Sequence, residues 1–181
     1  ATALAPVLTA ALVAAECTTL VRACAFLSQV VWETGQLRFL IEDEARGADY
    51  EGRSRSLGNL MPGDGVRYRG RGLLHLTGRR NYRLAGEELG LPLVEHPRLA
   101  AELEHLAPIA GWFWRVGAGL NLSVAALRRL PPCVSLNALV DAGDLRGVTL
   151  AIQGAETDDA PSWHLRRMRY YDRAMAVRAG Q

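Results

Sequence analysis

The chain has 181 residues, of which 49% are hydrophobic and 22% charged, and its formal net charge is +2. This length and balance are typical of one globular domain with a substantial core. The small net charge gives no reason to expect a nucleic-acid partner. Nor do aromatic residues alternate with the arginines, as a base-stacking platform would require.

Residues 1–15 are strongly apolar. They lack the positively charged start of a signal peptide and are too few to span a bilayer, so we expect a core helix and no membrane insertion. The three cysteines and four histidines are scattered without metal-ligand spacing. We therefore predict buried, reduced cysteines and neither a metal ion nor another cofactor.

The next apolar pattern predicts a helix over residues 19–34, with Thr18 as its N-cap. Glu33 follows Phe26 and Val30 at helical spacing, so it lies at the edge of the apolar face. A carboxyl group there is partly desolvated, which favours the protonated form that a general acid needs. The alternative is an ordinary helix-end glutamate in solvent.

Glu42 lies nine residues after Glu33. A straight helix would place the two ~13.5 Å apart along its axis. Gly35 can end the helix in a left-handed cap and turn the chain back. Such a turn would bring the carboxylates to within ~6.5–9.5 Å of each other, the separation at which an inverting glycosidase holds a water molecule.

Residues 35–76 are predicted to be mostly irregular, with a short strand over residues 37–41 and tight turns in the glycine-rich residues 58–65. A loop of this length inside a compact domain is unusual unless it builds a binding surface.

Charge is unevenly distributed along the chain, and all 21 basic residues are arginines. Acidic residues concentrate at 42–51, and arginines concentrate at 67–83 and again at 166–178. These sets are either solvated faces that balance one another, or an acidic catalytic wall beside a basic one that attracts an anionic polymer.

The remaining chain is predicted to be helical, with Asp144 as an N-cap and residues 112–114 in the core. The predicted helices cover residues 78–89, 97–103, 108–116, 123–130, 145–152 and 161–179. The fold class is therefore mainly α, in a single domain without repeats or linkers.

Several motifs resemble a known family. The segment FLSQVVWETGQLRFL contains Glu33, and the segments GDG-x-RYRGRG and LTGR-x-NY follow it. Together with AGWFWR, they resemble family 19 glycoside hydrolases over about residues 20–155, most closely the small bacterial chitinase and phage endolysin group. The resemblance implies one catalytic domain over residues 1–181 with an α-rich, lysozyme-like bilobal fold and at most a short β-hairpin lining the cleft. It also implies metal-free, inverting hydrolysis of β-1,4-linked N-acetylated sugars.

The resemblance assigns roles to individual residues. Glu33 matches the general acid, and Glu42 matches the carboxylate that activates water. Thr77 matches a hydroxyl residue that holds this water. Its alternative role is that of the N-cap of the following helix. Residues implied in substrate binding are Tyr68, Arg71, His75, Asn81 and Gln153. Should the loop fold differently, the alternative bases are Glu44 and Glu51.

Three positions depart from the family pattern. Trp32 stands where a histidine is usual, His75 replaces a glutamine, and Gln153 replaces a substrate-binding asparagine. The longer amide of Gln153 can still donate and accept hydrogen bonds toward an N-acetyl group. The changes leave open a catalytically impaired glycan-binding module.

We predict a peptidoglycan-degrading glycosidase that cuts between N-acetylmuramic acid and N-acetylglucosamine, and a chitinase is the alternative. The expected partner is a peptidoglycan strand, or a chitin oligomer, bound by a monomer. We expect the protein to be made in the cytoplasm without a recognisable signal peptide and to act on the cell wall after release or delivery.

Overall fold

The computed structural model describes residues 4–116, 135–153 and 160–179. Helices dominate these residues, as the sequence predicts. They are α1 (Ala5–Ala14), α2 (Leu20–Glu33), α3 (Glu44–Ala48), α4 (Ser54–Leu57), α5 (Asp64–Arg67), α6 (Arg79–Leu89), a 3₁₀ helix (Pro97–Ala101), α7 (Leu103–Arg115), α8 (Leu136–Asp141), α9 (Leu145–Gln153) and α10 (Ala160–Ala179).

The apolar N-terminal segment forms α1, which packs along α7. The two helices lie so close that a Cβ atom on Gly111 would be 2.5 Å from the Cβ atom of Ala14. Only one face of α1 is covered, since Val13 is 75% exposed. None of the described helices is both long enough and apolar enough to cross a membrane.

Aromatic side chains of α7 form the centre of the core. Trp112, Phe113 and Trp114 are all buried, as predicted. The ring of Trp114 meets that of Phe26 edge to face, with centroids 5.1 Å apart, and this contact joins α7 to α2. On its other sides α2 packs against α8 and α10, so the helix that ends at Glu33 is held from several directions.

Two predicted helix starts are wrong. The N-cap of α2 is Thr19 rather than Thr18, because the Thr19 hydroxyl accepts a hydrogen bond from the Arg22 backbone N–H (3.3 Å). Pro108 lies inside α7, which begins at Leu103. Pro108 is the sixth residue of α7, so the helix lacks the hydrogen bond that an N–H there would donate to the Glu104 carbonyl. The predicted helix over residues 123–130 lies outside the described residues.

The boundaries of the last two helices agree with the prediction. The Asp144 carboxylate accepts from the Gly147 N–H (2.7 Å) and caps α9, and α10 begins next to Pro161.

The segment over residues 35–76 is more regular than predicted. It contains the short helices α3, α4 and α5, which are too short to give a sequence period. The predicted strand over residues 37–41 is wrong, because Leu37 has a left-handed backbone with φ 65°. Of residues 37–41, only Ile41 forms a β-bridge, an isolated one to Arg71.

The described cysteines are unpaired, as predicted. Cys24 is buried and Cys17 is partly buried. Burial raises the pKa of the Cys17 thiol to about 12, so it stays protonated and unreactive at neutral pH. Cys133 lies outside the described residues.

Candidate active site

A cleft of about 510 Å³ brings together most of the predicted site. Its lining includes five of the predicted residues, namely Glu33, Glu42, His75, Thr77 and Gln153. It also includes side chains to which the sequence analysis gave no role in this cleft, among them Trp32, Tyr50 and Arg167. The predicted encounter of Glu33 and Glu42 in one cleft therefore occurs, while their separation of ~6.5–9.5 Å stays a prediction.

The chain reverses direction immediately after Glu33, the last residue of α2. Gly35, Gln36 and Leu37 have φ angles of 55°, 65° and 65°, so the left-handed cap predicted at Gly35 extends over three residues. Two of these are not glycine, and such a backbone persists only where other contacts hold it. The Thr34 hydroxyl supplies them, because it donates to the Val30 carbonyl (2.7 Å) and accepts from the Leu37 N–H (2.8 Å).

An isolated β-bridge between Ile41 and Arg71 holds Glu42 next to Gly70. Its backbone N–H donates to the Gly70 carbonyl (3.0 Å), and the Gly70 N–H donates to Glu42 Oε2 (2.8 Å). The hydroxyl of Tyr50 donates to Glu42 Oε1 (3.0 Å). A Cβ atom at Gly70 would be 2.5 Å from Glu42 Oε2, so this close approach requires glycine. Both carboxylate oxygens thus have a neutral hydrogen-bond donor.

Arg46 Nε also lies 3.9 Å from Glu42 Oε1, whereas Glu33 has a charged partner at hydrogen-bond distance. Arg167 Nη2 lies 2.8 Å from Glu33 Oε1, and His75 Nδ1 lies 3.9 Å from Glu33 Oε2. The Arg167 side chain is only 1% exposed, and its Nη1 donates to Gln29 Oε1 (2.7 Å). Burial lowers the pKa of Arg167, an effect that Glu33 opposes.

Arg167 is the main site residue that sequence reasoning missed. The sequence shows it only as one member of the basic set over residues 166–178, which gives no sign that its side chain points inward. The packing of α10 on α2 places it there, with its guanidinium carbon 5.6 Å from the centre of the Trp32 ring. The sequence did contain one signal for such a partner. Glu33 is predicted at the edge of an apolar helix face, and a partly buried charge needs a counter-charge.

His75 and Thr77 line the cleft from the turn that follows Arg71. His75 has a left-handed backbone with φ 46°, and its Nε2 lies 3.1 Å from the Phe39 carbonyl oxygen. The Thr77 hydroxyl donates to the His75 carbonyl (2.7 Å), which leaves its lone pairs as acceptors. The alternative role of Thr77 as N-cap is wrong, because Gly78 occupies that position in α6.

Gln153 is the last residue of α9 and lines the cleft. Its side-chain oxygen is buried and has no hydrogen-bond partner among the described residues. An N–H group of a bound ligand would satisfy it, in keeping with the predicted role in substrate binding.

The other three predicted binding residues do not line this cleft. Tyr68 is fully buried, and its hydroxyl donates to the Val94 carbonyl (3.0 Å). Arg71 is 4% exposed and donates to the Arg67 and Arg69 carbonyls and to Tyr82 Oη. Their positions correct the prediction, because these side chains stabilise the loop behind the cleft.

Asn81 is likewise buried. Its amide donates to the Thr77 carbonyl (2.8 Å), so it fixes the backbone of a cleft residue.

Neither alternative base lines the cleft. The Glu51 carboxylate accepts from the Gly63 and Gly65 N–H groups (2.7 and 2.8 Å), which ties two parts of the loop together. Glu44 is 77% exposed and has only a long contact to Arg69. Glu42 is therefore the second carboxylate of the cleft.

Within the described ranges, one group of side chains brings metal-ligating atoms together. Glu102, Glu104 and His105 lie with these atoms within 4.8 Å of one another, and none of the three lines the cleft.

No protein-family model matches the chain. Solved structures do resemble it. Chitinase C from Streptomyces griseus HUT6037 is 25% identical, with a TM-score of 0.70, and the match covers 96% of this chain and 68% of that chain. A bacterial family 19 chitinase is 27% identical, with a TM-score of 0.69, and the match covers 96% of this chain and 85% of that chain. A class IV family GH19 chitinase from Zea mays shares the fold at 22% identity, with a TM-score of 0.65 and with 94% and 78% of the two chains covered.

The helical architecture, the two-carboxylate cleft and these similarities define the class of the protein as a glycoside hydrolase. Its fold is the α-rich, lysozyme-like fold of the family 19 chitinases, which confirms the fold implied by the sequence motifs.

Proposed function

We propose that the protein is a peptidoglycan-degrading glycosidase, similar to endolysins, that hydrolyses β-1,4 bonds between N-acetylated sugars with inversion. The observation that supports it most is the meeting of Glu33 and Glu42 in one cleft, each with both carboxylate oxygens near partner side chains or backbone donors.

Glu33 acts as the general acid in this proposal. It protonates the oxygen of the leaving sugar, and Arg167 and His75 hold its carboxyl in place. Arg167 is a positioning residue, because its guanidinium contacts Glu33 and Gln29 and its side chain is only 1% exposed.

Glu42 acts as the general base that removes a proton from the attacking water. Tyr50 and the Gly70 N–H fix the orientation of its carboxylate. The free lone pairs of Thr77 accept a hydrogen bond from the same water, so the water is held between two acceptors while it attacks.

Charge around the cleft favours an anionic substrate. Arg46 and Arg53 line it in addition to Arg167, and their guanidinium carbons lie 5.7 and 5.4 Å from the centre of the Tyr50 ring. Such a surface attracts peptidoglycan, which carries carboxylates on its peptides, more strongly than neutral chitin.

Chitin is the second candidate substrate, because the similar solved structures are described as chitinases. The two substrates share N-acetylglucosamine and a β-1,4 linkage, so the same carboxylates would act on either one.

The test uses the purified protein on purified peptidoglycan and on chitin oligomers, with the products analysed by mass spectrometry. We expect disaccharide-peptide products from peptidoglycan and slower release of sugars from chitin. Cleavage of chitin alone would reject the peptidoglycan proposal. Binding to both polymers without cleavage of either would show the impaired glycan-binding module that Trp32, His75 and Gln153 had left open.

We further propose that the protein acts as a monomer on the cell wall, after release or delivery from the cytoplasm. Sedimentation of the purified protein tests the first part, and a dimer at working concentration would contradict it.

A further inference from the structure

A second groove, of about 730 Å³, adjoins the cleft and has no role in the mechanism above. Among the described residues, its lining is formed by Trp32, Arg166, Arg169, Tyr170 and Arg173. Trp32 also lines the catalytic cleft, and Arg167 of the cleft follows Arg166 of the groove. A ligand in the cleft can therefore continue past Trp32 into this groove, which we call the Trp32 groove.

The Trp32 groove is strongly basic. Its arginines all lie on α10 at spacings of three and four residues, which puts them on one face of the helix, and all three are exposed. Arg166 lies over the Trp32 ring, with its guanidinium carbon 5.9 Å from the ring centre. No carboxylate of a described residue forms an ion pair with Arg169 or Arg173. The one acidic residue of α10 next to them, Asp172, is exposed and forms no ion pair within the described part of the chain.

Aromatic side chains form the rest of the lining. Trp32 and Tyr170 are partly buried, so each keeps a fixed orientation and still presents a surface to a ligand. The Tyr170 hydroxyl accepts a hydrogen bond from Gln36 Nε2 (3.4 Å), in the left-handed turn that also positions the catalytic carboxylates. The groove therefore combines flat apolar surfaces with exposed arginines, which suits a flexible anionic chain rather than a neutral sugar alone.

The two candidate substrates differ in this chemistry. Chitin has no anionic side branch. Each muramic acid unit of peptidoglycan carries a short peptide with free carboxylates, which projects sideways from the glycan strand.

We infer that the Trp32 groove binds the acidic stem peptide of the peptidoglycan strand whose sugars occupy the cleft. This inference rests on the proposed function and adds to it a site for the peptide carboxylates, at Arg169 and Arg173. It makes the stem peptide, as well as the sugars, part of what the enzyme recognises.

Binding to the inactive Glu33→Gln protein tests the inference without catalysis. The ligands are soluble glycan fragments that carry stem peptides, and the same fragments after enzymatic removal of the peptides, both free of phosphodiester polymers. In Glu33→Gln we expect tighter binding of the peptide-bearing fragments. Adding Arg169→Gln and Arg173→Gln should weaken that binding about tenfold, as the loss of two exposed charge pairs would give, and high salt should weaken it similarly.

The matched control adds Arg83→Gln and Arg98→Gln instead, which remove the same charge from exposed positions that line neither the cleft nor the Trp32 groove. We expect this control to keep the preference for peptide-bearing fragments. Equal binding of the two fragments, or an equal loss of affinity in the control, would overturn the inference. An unmodified enzyme that cuts only chitin would instead reject the proposed function, and the binding result would still report on the groove.

Discussion

The two carboxylates of the cleft are held by different chemistry. Glu33 lies at the end of a long helix and is held by the buried guanidinium of Arg167, which comes from the far end of the chain. Glu42 lies in a loop and accepts hydrogen bonds from two neutral donors, the Tyr50 hydroxyl and the Gly70 N–H, while its charged neighbour Arg46 is 3.9 Å away. The two carboxylates of the cleft therefore differ in the partners that fix their orientation.

The largest expected effect comes from removing either carboxylate. Glu33→Gln and Glu42→Gln should each lower kcat by roughly 10³-fold, because each loses a proton-transfer group but keeps its shape. Initial rates on purified peptidoglycan measure this. Glu87→Gln, an exposed change in α6, is the matched control and should keep full activity. A rate near that of the unmodified protein in either catalytic variant would remove that residue from the mechanism.

Arg167→Gln tests the role of the charged partner of Glu33. It leaves Glu33 without its buried counter-charge, so we expect a loss of about 3 kcal/mol in the free energy of unfolding. We also expect a fall in kcat of about 10²-fold, because Glu33 loses its fixed position. Urea unfolding and initial rates give the two values. Full activity in a folded variant would show that Arg167 does not position Glu33.

Asp64→Asn tests how the loop around Glu42 is stabilised. The Asp64 side chain is 2% exposed and pairs with Arg79 at 2.7 Å, and it also accepts from the Leu60 and Met61 N–H groups. Arg79, which is left unpaired, is 32% exposed, so breaking this pair should cost about 2 kcal/mol at neutral pH.

The same pair predicts a pH dependence. The hydrogen bond from Arg79 holds the pKa of Asp64 below its ordinary value. The stabilisation is therefore complete above the ordinary aspartate pKa and is lost as the pH falls through the lower, folded-state pKa. Urea unfolding of the unmodified protein and of Asp64→Asn should show that the difference in their free energies of unfolding shrinks as the pH falls through the acid range. A constant difference would contradict the assignment.

Tyr50→Phe should have the smallest effect, because it removes one of two neutral donors to Glu42. We expect a fall in kcat of roughly tenfold with little change in KM. Burial, and then Glu42, raise the pKa of the Tyr50 phenol to about 12, so it donates to Glu42 throughout the neutral and mildly alkaline range. A fall in kcat in Tyr50→Phe as large as that in Arg167→Gln would show that the neutral donors of Glu42 matter as much as the charged partner of Glu33.

Local signals in the sequence predicted much of this site. The helix ending at Glu33 followed from its apolar period, and Gly35 marked the turn that brings Glu42 into the same cleft. Such features depend on neighbours in the chain, which single-sequence patterns report. The motif match also named His75, Thr77 and Gln153, which line the cleft, while their roles in binding and catalysis stay predictions.

What the sequence could not show depends on tertiary packing. Arg167 reaches Glu33 only because α10 packs on α2, and nothing in a run of arginines identifies the one that points inward. Tyr68 and Arg71 belong to the same motif as cleft residues, yet their side chains point into the loop's own core. Proximity in a motif therefore predicted the right loop but not the direction of each side chain.

The central claim is that Glu33 and Glu42 face each other with a water molecule between them. The most direct measurement is the configuration of the new reducing end, followed by proton NMR in the first minutes of peptidoglycan hydrolysis, before mutarotation. We expect the α-anomer to appear first, since a water held by Glu42 attacks the face opposite the bond that Glu33 protonates. Initial formation of the β-anomer would contradict it.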